Sequence, residues 1–113
     1  MEKVFRSVAA ILALAASLLF AAVGSAEENP QQAIQKYTAE IQRNPNNIET
    51  YCKRGIAYYD LKQYERAIQD FSKAIELKPN YAFAYYSRCH AYLKLGDKEK
   101  ARADYVKAKA LGW

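Results

Sequence analysis

The apolar residues of this chain recur at helical spacing in five stretches, and no stretch alternates as a strand would. The first runs from Gln31 to Arg43, with Ala33, Ile34, Tyr37 and Ile41 on one side and Pro30 suited to its first turn. In the second, Ile48 to Leu61, Tyr51, Arg54, Gly55 and Tyr58 lie at i, i+3, i+4 and i+7. Ala67, Phe71, Ala74 and Ile75 repeat that spacing between Tyr64 and Leu77, and further stretches cover Ala82–Leu95 and Lys98–Leu111. Breakers separate them. Asn44-Pro45-Asn46-Asn47 and Lys78-Pro79-Asn80 are stops. Leu61-Lys62-Gln63-Tyr64 is a short turn, and in its counterpart Gly96 suits a helix C-terminus and Asp97 an N-cap. The pattern predicts five helices and an all-α fold.

The chain also matches itself at a shift of 34. Tyr51 falls on Tyr85, Arg54 on Arg88, Tyr58 on Tyr92, Ala67 on Ala101, Asp70 on Asp104 and Ala74 on Ala108; backwards, Ala67, Phe71 and Pro79 fall on Ala33, Tyr37 and Pro45. A period near 34 marks a helix–turn–helix solenoid. Small residues at Gly55, Ala67 and Ala74 let helix backbones approach, and aromatics fill the space beside them. With Tyr51, Gly55, Tyr58, Tyr64, Ala67, Phe71, Ala74 and Pro79 in these places, the unit resembles a tetratricopeptide repeat. The resemblance covers about residues 30–112: a half repeat, 30–47, and full repeats 48–81 and 82–113. It departs at Glu40, where a small residue is expected, at Cys89 in the glycine slot and at Trp113 in the proline position.

Residues 1–26 read differently. Lys3 and Arg6 precede an apolar run, 8–23, followed by Gly24-Ser25-Ala26 and then Glu27-Glu28. A basic start, a short apolar middle and small residues make a secretory signal peptide, cleaved after Ala26. The expectation is an exported domain, residues 27–113, periplasmic or secreted; if the segment were kept, 8–23 would anchor it to a membrane. Losing Lys3, Arg6 and Glu2 lowers the net charge from +5 to +4. The charges alternate in sign over most helices, as on a solvated face. Lys98, Lys100, Arg102, Lys107 and Lys109 outnumber Glu99 and Asp104 on the last one. Export argues against nucleic acid, so that helix is at most a site for an anion or an envelope surface.

The family resemblance implies a concave groove lined by the first helix of each repeat. Opposite the packing face, helical spacing selects Glu49, Cys52, Ile56, Tyr59 and Asp60, and in the next repeat Phe83, Tyr86, His90, Leu93 and Lys94. Apolar and aromatic residues there suit a peptide or protein segment. One subclass of the family holds a peptide's terminal carboxylate with lysine, arginine and asparagine; Cys52, Ile56, Tyr86 and His90 are not such a clamp. Cys52 and Cys89 stand on successive first helices, about 8–10 Å apart, too far for easy bridging, and read as free thiols. Neighbouring helical residues diverge by about 100°, so Cys89 and His90 do not share a metal, and Tyr86 stands where heme attachment needs cysteine. No glycine-rich phosphate loop or nucleophile–base pair is present, so no enzyme, cofactor or metal is expected. The predicted function is a non-catalytic scaffold for another protein. The competing readings are self-association into a homo-oligomer through an uncapped last helix, where Tyr105, Val106 and Leu111 leave apolar surface and Trp113 could fold back, and anion binding by the basic last helix.

Overall fold

The computed structural model describes residues 28–113, and the predicted signal segment lies outside them. Five helices follow in order: α1 (Pro30–Arg43), α2 (Ile48–Asp60), α3 (Tyr64–Leu77), α4 (Ala82–Lys94) and α5 (Lys98–Ala110). Each boundary lies within a residue of the one expected. The Asn29 side chain accepts from the Gln31 N–H at 2.9 Å to cap α1, with proline in the first turn. Asp97 caps α5 by accepting from the Lys100 N–H at 3.1 Å. Gly96 takes the left-handed conformation after α4, at φ 78°. Its counterpart after α2, Lys62, takes the same conformation at φ 61°, and a side chain there costs about 1 kcal/mol.

Each helix packs antiparallel on the next, and α2 also touches α4. The first helices, α2 and α4, therefore form one layer and α1, α3 and α5 the other. The core lies between them, around Tyr51, Cys52, Ala67, Phe71, Ala74 and Ala84. Two helices approach closely at Gly55. A Cβ there would stand 2.7 Å from the Phe71 ring, which fills the notch that the missing side chain leaves. The outer repeat departs from this pattern. Cys89 occupies the notch itself, and Tyr105, the counterpart of Phe71, is 47% exposed against 1%. Glu40 is likewise half-buried where Ala74 is enclosed.

The residues that match at a shift of 34 form a buried polar frame. Arg54 donates to both oxygens of Asp70, at 2.8 and 2.7 Å, and reaches back to Thr38 Oγ1 at 3.2 Å. Arg88 does the same with Asp104, at 2.7 Å twice, and with Ser72 Oγ at 3.0 Å. Each fork thus ties the two helices of one repeat to the second helix of the repeat before. The hydroxyls of Tyr51 and Tyr85 donate to the carbonyls of Pro45 and Pro79 at 2.8 Å, fixing the interrepeat turns. These bonds raise the guanidinium pKa of Arg54 and Arg88 above the ordinary arginine value, the bond to the carboxylate outweighing desolvation.

Removing one partner of such a pair leaves the other charge without compensation. Asp70→Ala is expected to cost about 3–5 kcal/mol, while the apolar double replacement Arg54→Leu with Asp70→Leu recovers most of the loss. Urea unfolding followed by circular dichroism measures both.

Candidate functional site

The outward face of the first-helix layer is set by what the other faces must do. On α2, Tyr51, Arg54, Gly55 and Tyr58 face α3, while Cys52 and Tyr59 turn toward α4. The exposed stripe that remains is Glu49, Lys53, Ile56 and Asp60, at i, i+4, i+7 and i+11. A shift of 34 carries it to Phe83, Ser87, His90 and Lys94 on α4. Ile56, 39% exposed, is the centre. Three adjoining depressions meet at it. One, of about 190 Å³, is lined by Ile56, Tyr59, Phe71, Phe83, Tyr86, Ser87 and His90 and is almost wholly apolar. A second, of about 420 Å³, adds Glu49, Cys52, Lys53 and Tyr81. A third, of about 200 Å³, lies toward α1 with Glu28, Tyr37 and Asp60.

Eight of the ten residues expected from sequence line these depressions or their rim. Cys52 does not offer its thiol to a ligand: it is 2% exposed and belongs to the core beside Phe71 and Ala84. The reason is that an inner first helix needs a face for the following repeat as well as one for its own partner, so the free stripe is narrower than two-helix packing suggests. Leu93 lies on that same flank of α4, apart from the groove, with Cys89, Ala101 and Tyr105. Lys94 is exposed at the end of α4. Lys53 and Ser87 were missed, although they complete the i, i+4, i+7 series from Glu49 and from Phe83.

Aromatic contacts organise the α4 side. Tyr86 meets His90 edge-on at 4.6 Å. Trp113 follows Gly112, which is left-handed at φ 94°, and turns back onto Tyr86 at 4.8 Å and Phe83 at 5.7 Å. It therefore covers the flank of α4 that corresponds to Cys52, rather than Tyr105 and Val106, which stay exposed. Such ring pairs add about 0.5–1.5 kcal/mol each beyond area burial.

The two cysteines are buried free thiols. Burial raises Cys52 from 9.0 to about 12, with further contributions from the Asp70 and Glu49 carboxylates. Burial, then Asp104, also raises Cys89. Both sulfurs are held as unreactive thiols. Among the described residues, no group of three His, Cys, Asp or Glu side chains is placed to hold a metal, and no helix is long and apolar enough to cross a membrane.

Tetratricopeptide-repeat models match residues 48–81 and 84–111, more than half of the chain. The chain belongs to the tetratricopeptide-repeat family. Solved structures agree. The second such domain of Spaghetti (RPAP3), bound to the HSP90 peptide SRMEEVD, is 30% identical with a TM-score of 0.73, over 75% of this chain and 79% of that one. The TPR2B domain of yeast Sti1, in complex with pHsp70, is 28% identical with a TM-score of 0.74, over 76% and 69%. The Arabidopsis OM64 domain is 29% identical with a TM-score of 0.75, over 80% and 74%. No curated protein matches the chain. The fold is that of a protein-interaction scaffold.

The raised thiol pKa carries a sign. The folded chain keeps the Cys52 proton in a window, from 9.0 to about 12, where the unfolded chain releases it. Its share of stability is whole below 9.0 and falls as pH rises through that window. Cys52→Ala is expected to flatten the alkaline loss of stability relative to the parent, measured as urea midpoints at successive pH values. Equal slopes would show that the thiol titrates at its ordinary value.

Proposed function

We propose that the chain is a non-catalytic binding module that holds an apolar segment of another protein against Ile56, in the groove between α2 and α4, outside the cytoplasm. The observation that carries this is Ile56 itself. It is a branched aliphatic residue on the one stripe that packing leaves free, at the junction of three depressions. The positions around it are balanced in charge, with Glu49 and Asp60 against Lys53 and Lys94, so the apolar centre and the ring edges of Phe83 and His90 decide what binds. A single large apolar side chain inserted beside Ile56 and Phe83 would gain most of its transfer free energy, about 1.5–3 kcal/mol. Flanking main chain would meet the polar rim.

Two of the solved relatives are complexes, one with an HSP90 peptide and one with pHsp70, which supports a peptide partner here without supporting the same peptide. The acidic SRMEEVD sequence calls for cations in the groove centre. The central depression has none, and the cation nearest Ile56 on the stripe is Lys53. Location outside the cytoplasm is supported by the order of Lys3, Arg6, the apolar run 8–23 and the small residues before Glu27.

Selection from a random displayed peptide library is expected to enrich aromatic or branched aliphatic residues. The selected peptides should lose at least about tenfold in affinity on Ile56→Glu, with unchanged circular dichroism because the side chain is already exposed. SRMEEVD should compete poorly. Selection of acidic C-terminal sequences, or indifference to Ile56→Glu, would remove the apolar groove. On the address, N-terminal sequencing of the protein recovered from an exporting cell should begin at Glu27, and an intact Met1 would refute cleavage.

A further inference from the structure

The face on which α4 sits has a second copy. At a shift of 34, the flank formed by Cys52, Tyr59 and Phe71 becomes Tyr86, Leu93 and Tyr105. In the inner copy α4 covers it: Phe71 is 1% exposed and Cys52 is enclosed. In the outer copy Trp113 covers only the Tyr86 end. Leu93 and Tyr105 remain 51% and 47% exposed around an apolar depression of about 220 Å³ floored by Cys89 and Ala101. The perimeter differs in a definite way. Where the inner copy has Tyr64 and Ile68, the outer copy has Lys98 and Arg102, and no carboxylate lines the depression. Lys109 adds a third cation, over the Tyr105 ring at 5.6 Å.

We propose that this flank of α4 and α5 is a docking seat for an acidic amphipathic helix of another protein. That helix sets apolar residues on Leu93 and Tyr105 and carboxylates on Lys98 and Arg102. The intramolecular packing of α4 on α3 is the template, and a helix of that length spans about 20 Å. Charge selects the occupant. Two copies meeting through this face would place Lys98 and Arg102 of each against the other. The opposite end of the described chain, α1 with its lead-in, carries Lys36 and Arg43 against Glu28 and Glu40, with Glu28 paired to Lys36 at 3.7 Å, and so offers no excess of acid. The seat is separate from the groove at Ile56, so the two can be tested independently.

The template also supplies a probe. The end of α4 places Leu95 beside Tyr64, the counterpart of Lys98. A fluorescein-labelled peptide of Tyr81–Leu95 carrying Arg88→Gln, Cys89→Ser, Lys94→Glu and Leu95→Glu should therefore bring its acidic end to Lys98. Fluorescence anisotropy with the full chain should show saturable binding that weakens with salt. Tyr105→Glu and the pair Lys98→Glu with Arg102→Glu should each weaken it at least about tenfold, and Ile56→Glu should leave it unchanged. The same peptide with lysine at both acidic positions should bind at least about tenfold less tightly. Three results would overturn the proposal: no saturable binding, equal binding by the Tyr105→Glu chain, or displacement by polyglutamate as readily as by unlabelled peptide. Sedimentation of the chain alone adds a fourth. Self-association dissolved by Tyr105→Glu would make the occupant a second copy.

Discussion

Two arginine–carboxylate forks, 34 residues apart, hold the helix pairs at the spacing on which everything else depends. Arg54 and Arg88 span from a first helix to the second helix of the same repeat and reach the hydroxyl of the second helix before it. A lysine could not replace them, because its point charge lacks the planar pair of donors that meets both carboxylate oxygens. Buried charge pairs seldom add stability over an apolar pair of the same volume. What they add here is position. Ionic partners tolerate no slip between helices, whereas alanine against phenylalanine would tolerate a small one. The tyrosine hydroxyls on the Pro45 and Pro79 carbonyls fix the turns in the same way, so each repeat is placed on the one before without a cross-link.

That placement explains why the first helices have three kinds of face. One meets the partner helix, one meets the following repeat and one is free. Repeats of this type bury surface only against neighbours, and the second face is therefore as much a part of the core as the first. Cys52 and Tyr86 occupy equivalent positions on it with opposite outcomes. Cys52 is enclosed by α4, while Tyr86 has no following helix over it and is half-buried by Trp113 and by His90 of its own helix. Their exposures differ because of what is packed on them, not because of their chemistry. Tyr105 and Phe71 make the same comparison on the second helices. Cys89 adds a local cause, since it puts a side chain where the counterpart of the Gly55 notch, which receives Phe71, would otherwise receive Tyr105.

The fold was legible almost to the residue. Stops at Pro45, Pro79 and Gly96, the small residues at 55, 67 and 74, and the identities at a shift of 34 are all local or strictly periodic signals. The groove was legible only in part. Helical spacing tells which residues share a side, but a side of about 100° straddles the free stripe and the flank that meets the next repeat. The structure puts Glu49, Ile56, Asp60, Phe83 and His90 on the stripe together with Lys53 and Ser87, which that reasoning passed over, and puts Cys52 in the core and Leu93 on the flank. The boundary between stripe and flank depends on the angle at which one repeat meets the next. That is a property of the packed structure with no signature in one helix. Trp113 is a similar case: its sequence position suggested a return onto the last helix, and the left-handed Gly112 sends it onto α4 instead.

Separating stripe from flank also separates the two kinds of recognition proposed for them. The stripe is mixed in charge and centred on one aliphatic side chain, so as a binding groove it would select by the shape of a small depression. The flank is open, apolar in the middle and cationic at the edge, so as a docking seat it would select by the sign of charge around a helix-sized contact. Edge charges of that kind govern the rate of encounter and exclude like-charged partners more than they add affinity. In the positions of Tyr64 and Ile68, Lys98 and Arg102 would set like charges against each other in two copies that met through exposed Leu93 and Tyr105. Those two cations would also define the charge that a partner must carry to cover this end.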